Sequence, residues 1–209
     1  MQLSDSGGNL SNRGRKPVVL VAFALEEERV PVGRIAGMDA VTVITGVGKV
    51  SAAMNLTRAV LEYAPALVIN VGTAGTLTHE VGDILVCRHF VDRNLLGLKI
   101  HGVCAEISVE PSPLFTPESR VGRQWSADDF TANTGDNFVT AADDLFGDAI
   151  DMEAFACAAV CEKFGLPFLA VKYITDIVGC NSVKQWSEKL ADARRELNAF
   201  LQTNCDNKL

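Results

Sequence analysis

The chain has 209 residues, 48% hydrophobic and 22% charged, enough apolar mass to bury a core and too little charge for a disordered chain. Its 19 basic and 26 acidic residues leave a net charge of −7, which argues against a protein that grips nucleic acid through a basic face. No apolar run reaches the roughly 18–20 residues of a membrane span, and the strongest, Val18–Leu25, follows a polar leader and lacks the cleavage site of a secretory signal. One cytoplasmic domain, neither membrane-inserted nor bound to nucleic acid, is the expectation.

Residues 1–16 are rich in Ser, Gly, Asn and Arg and read as a disordered leader, leaving 17–209 as the domain. Val18–Ala24 is a continuous apolar run, the pattern of a strand buried on both faces. Ala40–Thr45, Ala66–Val71, Ile84–Val86 and Pro167–Ile174 repeat it. Between them, Lys49–Tyr63 reads as a helix with Val50, Met54, Leu61 and intervening alanines on one broad face. Asp151–Phe164 is Ala-rich, with Gly165 and Pro167 as stop signals. Ser182–Leu201 sets Trp186, Leu190, Ala193, Leu197 and Phe200 at spacings of three and four.

Strands alternating with helices predict a single-domain α/β fold around a mixed, largely parallel sheet flanked by helices. The stretch 100–129, with Pro111, Pro113 and Pro117, reads as a short strand pair followed by loop, of the kind that often serves as a lid or binding loop. Six cysteines (Cys87, Cys104, Cys157, Cys161, Cys180 and Cys205) form no CxxC pair. Cys157 and Cys161 share a helix face, and His79, His89 and His101 lie elsewhere. Reduced thiols and no metal site are expected.

In open α/β sheets, ligands gather at the carboxyl ends of strands. Four places qualify, each with a plain structural alternative. Glu26-Glu27-Glu28 follows the first strand and supplies either an acid–base group or a solvated helical turn. Thr45-Gly-Val-Gly-Lys-Val-Ser51 joins strand to helix as a backbone approach for a ligand or as a tight turn. It matches neither a Walker loop nor a complete dinucleotide fingerprint. Asn70-Val-Gly-Thr-Ala-Gly75 offers a floor for a sugar or base, or another connection. Asp151-Met-Glu153 and Thr175-Asp176 are either helix caps or a converging carboxylate group, which would suit an oxocarbenium-like sugar.

In order, Ala24-Leu-Glu-Glu-Glu28, Gly46-Val-Gly-Lys-Val50, Asn70–Gly75, Val81-Gly-Asp83, Thr134-Gly-Asp-Asn-Phe138, Asp151-Met-Glu-Ala154 and Ile174-Thr-Asp176 resemble the 5′-methylthioadenosine/S-adenosylhomocysteine nucleosidases of the nucleoside phosphorylase superfamily. The resemblance runs from about Val18 to Leu201 and implies a nucleoside phosphorylase-like fold and cleavage of a purine N-glycosidic bond. It implies that Asp176 donates a proton or strong hydrogen bond to purine N7, oriented by Thr175, where many relatives have Ser. Glu28 would activate water, supported by Thr73 and by Lys172, where relatives often carry Arg. Glu153 would hold the ribose hydroxyls beside the Met152 backbone. Phe138 would stack on the base while the Val139 backbone reads its edge, and Ala24 and Gly75 would line the substrate.

Phosphorylases of the superfamily hold phosphate with arginines, one beside the glycine motif; Asn70 stands at that position, so water is the expected acceptor. No cofactor is implied, and the resemblance implies a homodimer whose partner closes the 5′ end of the cleft. The region between Asp92-Arg93 and Thr134 is short for the family, as is the segment from Phe138 to Asp151. Both normally shape the base pocket and 5′ cleft. Asp92-Arg93 could favour a carboxylated 5′ substituent, as in a futalosine hydrolase. Other purine nucleosidases, a phosphorolytic enzyme and a non-catalytic nucleoside-binding module complete the alternatives.

Overall fold

The computed structural model describes residues 16–98, 100–137, 139, 145–179 and 182–206. Most of the expected leader, residues 1–15, lies outside them, as do Phe138 and Cys180. Among the described residues eleven strands form one sheet: β1 (Val18–Phe23), β2 (Arg34–Ile35), β3 (Met38–Ile44), β4 (Leu67–Thr76), β5 (Ile84–Asp92), β6 (Glu106–Ser108), β7 (Ser119–Val121), β8 (Gln124–Ser126), β9 (Phe130–Thr134), β10 (Ala149–Asp151) and β11 (Phe168–Ile177). Three helices cover it: α1 (Lys49–Tyr63), α2 (Ala154–Phe164) and α3 (Ser182–Asp206).

At one side the sheet is open and parallel, β3 and β4 flanking β1. At the other it closes. β4 pairs with β11, β11 with β5, β5 with β9, β9 with β10, and β10 returns to β4. Closure removes the free edges that an open sheet leaves unpaired. β4 joins the two halves, and the ten-residue β4 and β11 are both buried along most of their length, which explains their near-continuous apolar sequences.

Strand alternation divides the core. Val19, Val21 and Phe23 of β1, with Leu169, Val171 and Tyr173 of β11, face α3, where Ala193, Leu197 and Phe200 meet them. Leu20, Phe168, Ala170 and Ile174 face the opposite layer of α1 and α2. In α1 the buried stripe is Ala52, Leu56, Ala59 and Val60. Val50, Met54 and Leu61, read from the sequence as a packing face, are instead about 70% exposed (70%, 68% and 69%). The helix carries two apolar stripes, and its alanines allow the close packing on α2.

Asp151 closes β10 rather than opening α2, which begins three residues later; its Oδ2 accepts from the Ala154 N–H at 2.8 Å, satisfying a free donor of the first turn. The stretch 100–129 holds β6 and the β7–β8 hairpin, whose Gly122-Arg123 turn has positive φ at both residues. Cys87, Cys157 and Cys161 are buried free thiols and Cys104 is exposed; burial pushes Cys157 up to about 12. No helix among the described residues is long and apolar enough to cross a membrane.

Candidate active site

A cavity of about 320 Å³ opens at the carboxyl ends of β1, β4 and β11. Ala24 and Glu28 reach it from the end of β1 and the 3₁₀ turn Glu26–Glu28 that follows. Thr73 and Gly75 come from β4, Met152 and Glu153 from the β10–α2 junction, and Thr175 and Asp176 from β11. Val139 lines the rim. Of the triple carboxylate, Glu28 alone is buried.

Glu28 Oε1 accepts from the Thr73 backbone N–H at 3.1 Å and from Thr73 Oγ1 at 2.6 Å. The Thr73 hydroxyl in turn accepts from Trp186 Nε1 at 2.9 Å. An indole N–H therefore fixes the hydroxyl so that its own proton points at the carboxylate.

Asp176 follows an irregularity in β11. Ile174 pairs with Ala74 and Asp176 with Gly75, so Thr175 is an extra residue in the ladder. Such a bulge re-aims the next side chain. Thr175 Oγ1 lies 2.8 Å from Asp176 Oδ1 and 3.3 Å from the Ala74 carbonyl oxygen. Gly75 leaves room for Asp176: a Cβ would stand 3.0 Å from Oδ2 and 3.2 Å from Val178.

Asp151 and Glu153 are two residues apart, and their carboxylates take different hydrogen-bond partners. Asp151 Oδ1 accepts from Thr134 Oγ1 at 2.5 Å, and Oδ2 pairs with Lys172 Nζ at 2.8 Å. Glu153 faces the cavity and accepts from the Gly48 N–H at 2.9 Å. Gly48 makes this contact from φ +86°, a conformation suited to glycine, at the start of α1. Burial and then the nearby Asp151 charge raise Glu153 to about 7, outweighing Lys172 and the Gly48 N–H.

The expected pairing of Lys172 with Glu28 gives way to a different one. Lys172 lies on the β11 face that includes Ala170 and Ile174, its ammonium is taken by Asp151, and it does not line the cavity. Burial alone would pull it down. The Asp151, Glu153 and Glu28 charges overcome that and hold it well above the ordinary lysine value. Asp92-Arg93 also departs from expectation: Asp92 binds Lys49 Nζ at 2.8 Å, and every Arg93 N–H donor is occupied by protein oxygen, so the pair offers nothing to a carboxylated substituent. No described residue of 100–129 lines the cavity.

Trp186, Val47 and Asn137 line the cavity without having been singled out as site residues. Trp186 carried a signal: a tryptophan opening an apolar helical stripe still needs a partner for its N–H. Val47 and Asn137 carried none beyond lying inside the Gly46–Val50 and Thr134–Phe138 motifs.

The family model of the phosphorylase superfamily matches residues 18–203. The 5′-methylthioadenosine/S-adenosylhomocysteine nucleosidase of Marinomonas sp. is 32% identical over 190 residues, covering 82% of each chain. The chain belongs to this nucleosidase family. Two solved structures share the nucleosidase fold at 18% identity. The Helicobacter pylori 5′-methylthioadenosine/S-adenosylhomocysteine nucleosidase with butyl-thio-DADMe-Immucillin-A has a TM-score of 0.75, covering 92% of this chain and 99% of its own. A Helicobacter pylori futalosine hydrolase mutant has a TM-score of 0.74, covering 92% and 100%. Among the nucleosidase motifs, Phe138 alone of the expected site residues lies outside the described residues.

Proposed function

We propose that this nucleosidase hydrolyses the N-glycosidic bond of 5′-methylthioadenosine or S-adenosylhomocysteine, releasing adenine through an oxocarbenium-like transition state. The observation that carries the reading is the convergence of Glu28, Glu153 and Asp176 in one cavity, each held by a different element. Family membership and the Marinomonas relative's activity support the substrate class.

Asp176, backed by the Thr175 hydroxyl, donates to purine N7 and makes the base a better leaving group. As the bond breaks, positive charge grows on the sugar. Glu153 meets it with the ribose hydroxyls and, raised to about 7, is driven toward its ionised form by that charge. The stabilisation therefore appears mainly in the transition state. Glu28, aligned by Thr73, takes the proton of the attacking water. Met152 and Val139 present backbone to sugar and base.

Water is favoured over phosphate by electrostatics. The described lining holds four carboxylates, Glu28, Glu153, Asp176 and the Lys172-paired Asp151, and its cation, Arg93, has every donor engaged. Asn70, at the position expected of a phosphate-binding arginine, is buried with its amide donating to the Ala22 carbonyl. A second copy of the chain is the proposed cover for the exposed Val50, Met54 and Leu61. That patch continues from Val47, which lines the cavity and is itself 45% exposed.

The test is incubation with methylthioadenosine, with and without phosphate. Adenine and free methylthioribose, formed at the same rate in both, are expected. A sugar 1-phosphate formed only with phosphate would overturn the reading. No cleavage of either nucleoside, with turnover of another in a nucleoside panel, would reassign the 5′ group.

A further inference from the structure

β9 and β10 run parallel only as far as the Thr134–Asp151 pair. Beyond it the chain continues toward Asn137 and Val139 at the cavity, with the Gly135 N–H still reaching the Asp151 carbonyl at 3.2 Å. Arg93, at the exit of β5, adds donors to the carbonyls along this stretch. One terminal nitrogen donates to the Asn133 carbonyl at 2.8 Å and the Asp151 carbonyl at 3.0 Å. The other donates to the carbonyls of Gly135 at 3.0 Å and Asn137 at 2.7 Å. Nε reaches the Asn137 side-chain oxygen at 3.3 Å, and the Arg93 backbone N–H binds the Thr134 carbonyl at 3.0 Å.

The neighbours reinforce this contact. Lys49 Nζ binds both oxygens of Asp92 and the Asn94 side chain, whose oxygen accepts from the Asp136 N–H at 3.3 Å. Asp136 in turn takes the Lys49 N–H at 2.7 Å, one residue after the Gly48 N–H that binds Glu153. Gly135 fits the guanidinium closely: a Cβ there would stand 2.5 Å from Nε. A planar fork with five donors in fixed directions can serve five acceptors at once, which an ammonium on a flexible stem cannot.

We propose that Arg93 is the positioning residue for the base-binding wall: it holds Asn133–Asn137 and Asp151 in one arrangement, and through them sets where the base lies relative to Asp176. The proposal rests on the nucleoside reading of the cavity, since it assigns this wall to the base.

The experiment compares wild type with Arg93→Lys and Arg93→Ala in three measurements: KM for methylthioadenosine, Ki for adenine, and amide hydrogen exchange. Both constants are expected to rise about tenfold or more, as for loss of a hydrogen bond to a charged group. Ki should rise in parallel with KM, because adenine alone still meets the wall. Added guanidinium should recover Arg93→Ala, whereas Lys, with charge but no fork, stays impaired. Amides of 133–137 should exchange faster while those of β1 and α1 do not. Unchanged KM and Ki overturn the proposal, whether exchange is unchanged, faster locally or faster throughout. A wild-type protein that neither cleaves the nucleoside nor binds adenine would overturn the reading of the cavity instead, and exchange at 133–137 would then decide whether Arg93 clamps the wall.

Discussion

The floor and the base wall of the cavity are held by different physics. On the floor, Asp176 sits in the paired strand β11 and Glu28 in the short turn after β1, and a threonine hydroxyl aims each, joined at Glu28 by the Thr73 N–H. The wall lies where the ladder has run out, and a single guanidinium takes the place of several backbone donors. The floor should therefore tolerate small losses of support and fail on loss of charge or proton. The wall should keep the chemistry and lose alignment when the fork is lost.

The largest effect belongs on the floor. Asp176→Asn should lower kcat by about 10²–10⁴-fold, the usual worth of a positioned acid, with a much smaller change in KM. Steady-state kinetics decide it, and equal losses in both would remove Asp176 from the chemistry. Lys172→Met tests the foundation beneath floor and wall, since it strands the buried Asp151 carboxylate. Denaturant unfolding should show a loss of about 3–5 kcal/mol. A stability near wild type would mean Asp151 is carried by Thr134 and the α2 N–H groups alone.

A finer test removes one atom pair. Trp186→Phe keeps the ring and deletes the donor to Thr73, so kcat should fall by only a few-fold, in line with about 1 kcal/mol for a neutral hydrogen bond. A drop matching Asp176→Asn would show the indole acting on substrate directly. The smallest effect is on stability against pH. Glu153 is raised from 4.5 to about 7 in the fold, so its contribution is complete below the unfolded value and is lost as pH climbs through about 7. Glu153→Gln, which cannot ionise, should then gain on the wild type by about 3 °C in Tm between about pH 6 and pH 8. Parallel Tm curves for the unliganded proteins would show Glu153 to be ordinary.

The same division governs what could be read from the sequence. The floor follows from local pattern: apolar runs mark β1, β4 and β11, and the polar or glycine residues at their ends are the site. The extent of α1 also follows from its sequence, because Ala64 at φ +46° and Pro65 end it sharply. Which α1 stripe is buried does not, since both are apolar and the partner layer decides. Lys172 shows the same limit. Strand parity places it on a face, but its choice of Asp151 over Glu28 depends on where β10 returns to β4. Arg93 was the least legible, because its acceptors are carbonyls some 40 to 58 residues away in the chain. Carbonyl oxygens have no sequence signature.

The most direct test of hydrolysis is a single turnover in water labelled with heavy oxygen, with phosphate present, followed by mass analysis of both products. One labelled oxygen in methylthioribose and none in adenine is the expected result. An unlabelled sugar carrying phosphate would contradict it.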